Sequence, residues 1–187
     1  MISALLTMSI TVPPPAPIAP LPSPRQLAWQ DLEFTGFIHF GPNTFTDKEW
    51  GHGDEPAQVF HPTALDARQW VRVMKDAGMK GVVVTAKHHD GFCLWDSALT
   101  DYKATNTPAG RDLIRPMLDA FRNRGMRAGL YHSLIDWHHP DFTIDRHHPQ
   151  RNHPDRDVLD TGRDMARYRD YLHGQVRELL TGYGDVD

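Results

Sequence analysis

Residues 81–102, GVVVTAKHHDGFCLWDSALTDY, decide how the rest of the chain is read. Gly81 to Ala86 is a short apolar run whose Val82, Val83 and Val84 are β-branched, as suits a buried parallel strand. The run breaks into Lys87-His88-His89-Asp90-Gly91, a dense set of titratable side chains. In α/β barrels and doubly wound sheets, the loop past the C-terminal end of a strand is where chemistry is placed. Phe92 and Trp95 follow, and are expected to wall a pocket for an apolar-faced ligand such as a sugar ring. A polar loop with one histidine capping a neighbour is the plainer alternative.

The same grammar repeats on both sides. Residues 34–41, FTGFIHFG, read as a strand ending in His39, and Pro42 to Pro62 as an irregular segment carrying Glu49 and Trp50. Thr63 is expected to cap the next helix, with Asp66 completing a capping box. Ala67, Trp70, Val71 and Met74 recur at helical spacing, and Gly78 suits the C-terminal cap. Asp112 to Arg124 reads as a second helix, with Pro116 tolerated in its first turn. Met126 to Ser133 reads as a third strand, Leu134 to Asp160 as a long loop rich in histidine. A last helix places Met165, Tyr168, Leu172, Val176 and Leu179 on its inner face and ends near Gly182. Residues 184–187 read as a turn leading into another strand.

Strand centres at Phe37, Val83 and Gly129 lie 46 residues apart, with a helix between each pair. That pitch predicts parallel βαβ units, in a doubly wound sheet or a barrel. The polar clusters all follow strands: His39 with Glu49, His88 with His89, Tyr131 with Asp136. Convergence of this kind favours the mouth of a barrel. A dinucleotide fold would want a Gly-rich turn after the first strand, where the chain has Gly41-Pro42-Asn43-Thr44.

The bulk properties exclude several classes. A net charge of -4 argues against a nucleic-acid partner, and the lack of a long apolar span argues against a transmembrane helix. Cys93 is the only cysteine among 187 residues, so no internal disulfide is formed. Residues 1–24 read as a leader: 11–24 hold seven prolines and favour an extended spacer, and 1–10 lack the cationic start of a signal peptide. Met8 is an alternative start. Without a convincing signal peptide the location is left as cytoplasmic or open, and a homo-oligomer stays open. The 12 histidines raise a metal-dependent barrel hydrolase as an alternative. His88-His89 point apart on a strand, however, and no H-E-x-x-H occurs, so neither metal nor cofactor is expected.

F-I-H-F-G at 37–41, K-E-W-G at 48–51, F-H-P-T-x-L-D at 60–66, T-A-K-H-H-D-G-F at 85–92 and G-L-Y-H-S at 129–133 resemble the α-L-fucosidases of glycoside hydrolase family 29. I-D-W-H-H-P at 135–140 and Y-x-x-Y-L-H-x-Q-V-R-E-L-L at 168–180 extend the resemblance, which covers residues 25–187. It implies an α/β fold that is the N-terminal part of a (β/α)8 TIM-like barrel, truncated at about the fourth strand, with residues 25–187 as the N-terminal half of the catalytic barrel. It implies a substrate bearing terminal α-L-fucose, with no nucleic acid and no membrane as partner. His39, Glu49, Trp50, His88, His89 and Tyr131 are the implied substrate-binding residues. His132 is expected to be structural, and the His138-His139 and His147-His148 pairs to sit near the rim.

Retaining enzymes of this family need a carboxylate nucleophile and an acid/base about 5 to 5.5 Å apart. The family nucleophile lies in a W-F-D-G-like motif at the end of the fourth strand. Neither Asp185 nor Asp187 has those neighbours, so no catalytic residue is assigned within the chain, and the expectation is an inactive fragment. The alternative is a non-catalytic fucose-binding or assembly fragment.

Overall fold

The structure, a computed structural model, describes residues 12–186. The expectations for residues 1–10, for Met8 and for Asp187 fall outside the described residues. Those up to Asp31 form one compact unit and those from Leu32 onward another. In the first unit, Ser23 and Gln26 make a reciprocal capping box on helix α1 (Pro24–Gln30).

In the second unit, β1 (Thr35–Ile38), β2 (Gly81–Lys87) and β3 (Arg127–His132) form a parallel sheet in the order β1-β2-β3. Phe37 pairs with Val83, and Val83 with Gly129, so the 46-residue pitch read from the sequence is the register of the sheet. Helix α2 is a single turn, Asn43–Thr46, inside the otherwise irregular segment after β1. Helices α3 (Ala67–Asp76) and α4 (Ile114–Arg122) follow as expected, with Pro116 in the first turn of α4. The cap of α3 differs from expectation. Asp66 itself is the N-cap, its carboxylate accepting from the Arg68 and Gln69 amides, and Thr63 lies outside the helix. An aspartate so placed satisfies two orphan donors and offsets the helix dipole, which outcompetes a threonine three residues earlier. Asp66→Ala is therefore expected to cost about 0.5–2 kcal/mol. Thr63→Ala should leave the urea midpoint unchanged, and equal effects would return the cap to Thr63.

Val82, Val84, Ala86 and Ala128 pack with Val71, Ile114, Met117, Leu118 and Phe121 into the main core. The residues after β2 fold back onto the same core. Leu94 N donates to Ala86 O, Cys93 N to Tyr102 O and Ala104 N to Cys93 O. Phe92 and Trp95 are consequently sealed inside, Phe92 against Phe60 and Tyr102, and Trp95 with its indole nitrogen on Glu178. They do not wall a pocket, contrary to expectation. An apolar aromatic close to a polar loop is equally suited to the core, and backbone pairing decided the outcome.

The long loop after β3 contains a short helix α5 (Arg156–Asp160), and α6 (Met165–Gly182) closes the unit. The buried face of α6 centres on Tyr168, Gln175 and Leu179, whereas Met165 is exposed. Gln175 donates to Tyr171 Oη and Cys93 Sγ and accepts from His132 Nε2, so a polar residue occupies the centre of the packed face with its bonds made. His132 is thereby part of the interior. After α6, residues 183–186 turn through Gly184, and no strand follows β3 among the described residues.

Candidate active site

The strand ends bring three histidines and a tyrosine together. His39 lies just past β1, His88 and His89 just past β2, and Tyr131 within β3, where it is the register neighbour of Thr85. Ring centroids are 4.4 Å apart for His39–His88 and 4.1 Å for His88–His89, and His88 stacks on Tyr131 at 5.6 Å. His39 is exposed at that strand end.

A bulge lies just before this cluster. Thr85 pairs with Tyr131 but Lys87 pairs with His132, so β2 has one residue more than β3 at this point. As the central strand of the sheet β2 is buried on both faces, Ala86 and Lys87 included, and His88 and His89 are the first residues past it to reach the surface. Lys87, read from the sequence as part of a polar loop, is 0% exposed. Its Nζ bonds Asp136 Oδ2 at 2.8 Å and lies 5.2 Å from the centre of the Tyr171 ring. Asp136 is likewise interior, not part of the site surface beside Tyr131, and its Oδ1 accepts from the His138 and His139 amides.

Hydrogen bonding assigns the tautomer of His89. Ser133 Oγ donates to Ile135 O at 2.6 Å, so towards His89 Nδ1, 2.7 Å away, it must accept. Nδ1 carries the proton and Nε2 is left as an acceptor. Trp137 N on His89 O, and Ser133 N on Lys87 O, tie the two strand-end loops together. Ser133 and Trp137 are site-building residues that sequence reasoning passed over. Their signal was the G-L-Y-H-S and I-D-W-H-H-P stretches, quoted without a role for either residue.

Burial lowers the pKa of His39, His88 and His89, and the neighbouring imidazoles of the cluster add to the effect at His88 and His89. His88, between the other two, falls to about 3. Three imidazoles this close cannot all carry charge, so at neutral pH the cluster is an array of neutral hydrogen-bonding groups.

Beside it runs the 48–55 loop. Asn43 Nδ2 holds the Glu49 carbonyl, and Glu55 takes the His52 and Gly53 amides on its two oxygens and faces Lys48. His138 Nδ1 donates to Gly53 O, pinning this loop to the one after β3, while its ring stacks on Tyr102. Gly51 packs on the Asp90 carboxyl so closely that a Cβ would overlap it. Trp50, 47% exposed, meets His89 and Trp137. Glu49, Trp50, His52, Trp137, His147 and Arg151 line a cavity of about 450 Å³. All six sequence-predicted residues thus lie in or beside one site. Of the paired histidines, His147 reaches the cavity, His148 is buried, and His139 packs on Tyr171. His52, Asp54 and Glu55 have donor atoms close enough for a metal ion, but both Glu55 oxygens are occupied by backbone amides.

Asp90 is fully buried, with Oδ1 on Phe92 N and Oδ2 without a partner. Burial, with Glu55 and Asp136 adding to it, pushes its pKa up to about 7, against the Phe92 amide and Lys87. An unfolded aspartate titrates near ~3.9. Between these values the folded chain holds the extra proton, so this group lowers stability as pH rises from about 4 to about 7. Asp90→Asn is expected to gain stability relative to the parent at pH 8 compared with pH 5. A difference independent of pH, by urea denaturation, would show that Asp90 does not titrate there.

The alpha-L-fucosidase family model matches residues 25–187. The chain belongs to the α-L-fucosidase family. It is 40% identical to alpha-L-fucosidase 1 of Arabidopsis thaliana over 181 residues, covering 95% of this chain and 32% of that protein. The alpha-L-fucosidase isoenzyme 1 of Paenibacillus thiaminolyticus superposes with a TM-score of 0.78 at 48% identity, covering 86% of this chain and 41% of that one. A family 29 α-L-fucosidase of Bacteroides thetaiotaomicron, solved as a trapped covalent intermediate with 2-fluoro-fucosyl fluoride, gives 0.71 at 27% identity, covering 92% and 42%. This fucosidase-family chain spans about a third of the length of the Arabidopsis relative.

Proposed function

We propose that this chain is the N-terminal part of the catalytic barrel of a retaining α-L-fucosidase, that residues 1–24 are its leader, and that it supplies the wall that holds fucose. The observation that carries this is the convergence of His39, His88, His89 and Tyr131 beside the Trp50–Trp137 pair. Neutral imidazoles and a phenol hydrogen-bond sugar hydroxyls without the desolvation cost of a charge, and His89 Nε2 is set to accept. Trp50 offers an aromatic face to the methyl and C–H side of the ring. Glu49 accepts from a further hydroxyl.

A retaining mechanism needs two carboxyl groups. Asp136 is bound to Lys87 and Asp90 is sealed under Gly51, which leaves Glu49 as the carboxylate lining the cavity among the described residues. The nucleophile and acid/base are accordingly placed outside this set, on the part of the barrel that the relatives have beyond the matched region. The chain alone then binds fucose and does not hydrolyse it. Calorimetric titration with L-fucose, alongside an aryl α-L-fucoside assay, tests both halves. Saturable binding without turnover is expected. Robust turnover would overturn the fragment assignment, and absence of binding would remove the site assignment.

A further inference from the structure

Away from the strand ends, α3 and α4 leave between them a cavity of about 270 Å³. Arg68, Arg72 and Arg124 line it with Asn123, over a floor that includes Val71 and Ala120. Among the described residues, no acidic side chain lines it. Several other arginines of this chain are held: Arg167 by Asp141, Arg163 by the Phe142 carbonyl, Arg156 by Ile144 and Arg122 by Tyr183. Among the described residues, Arg68, Arg72 and Arg124 have neither an ion pair nor a side-chain hydrogen bond. Arg68 and Arg72 are four residues apart on α3, an arrangement of like charges that weakens a helix. Asp66 and Asp119 border an adjoining cavity, which shares Arg68, Ala120 and Asn123 with this one and also contains Arg111. Asp66 Oδ1 is already engaged in capping α3.

We infer that this cavity is a binding site for a tetrahedral oxyanion, a sulfate or phosphate group. Guanidinium forks match such oxyanions through paired N–H donors, and the Asn123 amide adds a neutral donor. Val71, buried beneath the cavity, supplies an apolar floor that strengthens each contact relative to open water. A water occupies about 30 Å³ of liquid, so the space takes the anion together with part of a carrier such as a sugar ring. The chain carries a net charge of -4, so convergence of three unpaired cations is not a consequence of a basic surface. The site lies on the helix layer and shares no residue with the histidine cluster.

Titration calorimetry of the 187-residue chain with sodium sulfate, sodium phosphate and galactose 6-sulfate, at fixed chloride concentration, tests the assignment. One saturable site is expected, weakened at least about tenfold in Arg68→Ala/Arg124→Ala, a loss of about 1.4 kcal/mol. The Arg68→Lys/Arg124→Lys chain keeps the charge but not the forks and should fall between. All three side chains are exposed, and an unchanged circular dichroism spectrum and urea midpoint will show that the variants fold. Tighter binding of galactose 6-sulfate than of either inorganic anion supports a sulfated glycan as the source. Tighter binding of phosphate supports the free anion. Absence of saturation, or equal affinity in the double alanine variant, overturns the proposal.

Discussion

Asp136→Ala is expected to destabilise the chain by about 3–5 kcal/mol, the cost of leaving one partner of a buried ion pair alone. Lys87 and Asp136 are 2.8 Å apart with side chains 0% and 1% exposed. The substitution strands the Lys87 ammonium beneath Tyr171 and also removes the acceptor for the His138 and His139 amides. Because Trp137 lies between those anchors and packs on His89, the site should loosen with the fold. Urea denaturation at pH 7 measures the first effect and tryptophan fluorescence the second. Lys87→Met/Asp136→Leu should recover much of the loss, since an apolar pair carries no desolvation cost. A loss under about 1 kcal/mol for Asp136→Ala would mean that the pair is solvated and behaves like a surface bridge. Gly91→Ala offers an independent check. Gly91 has a positive φ, and its Cβ would overlap Asp136 Oδ1, so the variant should perturb the same contact.

His88→Ala is the second large effect, on fucose binding rather than stability. His88 touches His39, His89 and Tyr131, so its removal takes away one hydrogen-bonding ring and frees three others. Losing a hydrogen bond to a partly buried site costs about 1–3 kcal/mol, which corresponds to an affinity loss of roughly 5- to 150-fold for L-fucose. His88→Asn, which keeps a neutral donor and acceptor, should restore part of it. With the His88 pKa at about 3, its ring stays neutral through the working range, and its contribution should be flat from pH 5 to 8. For stability, a lowered histidine pKa acts only below its unfolded value of about 6.5, where the unfolded chain takes up a proton that the folded one refuses. The contribution of His88 is therefore complete above that pH and declines as pH falls towards about 3. Wild-type affinity in the His88→Ala chain would remove this residue from the binding wall.

The α/β class, the parallel strands and their 46-residue pitch were legible before any coordinates. Apolar runs at a constant pitch leave one economical way to pair, and Phe37, Val83 and Gly129 do lie side by side. The candidate site was legible as a set of residues to follow: His39, His88, His89 and Tyr131 were singled out, and their rings do converge at the strand ends. Capping was half legible. Asp66 was singled out, but its role depends on which residue first adopts helical backbone, and helix ends compete over a few residues.

The spacing of apolar runs gave the βα grammar, and the resemblance of the quoted motifs pointed to the family and to the residues worth watching. Tertiary structure alone decided which of those residues face outward. Lys87, Asp90, Phe92, Trp95 and Asp136 look as available in the sequence as His88 and Trp50, yet all five are interior. The central place of β2 in the sheet, the Lys87–Asp136 pair, the cover of Gly51 over Asp90 and the return of residues 92–104 onto the core make the difference. All arise from contacts between segments distant in sequence, which no local pattern of residues encodes. The same holds for the three arginines between α3 and α4: Arg68 and Arg72 share a helix, but only the packing of α4 brings Arg124 to them.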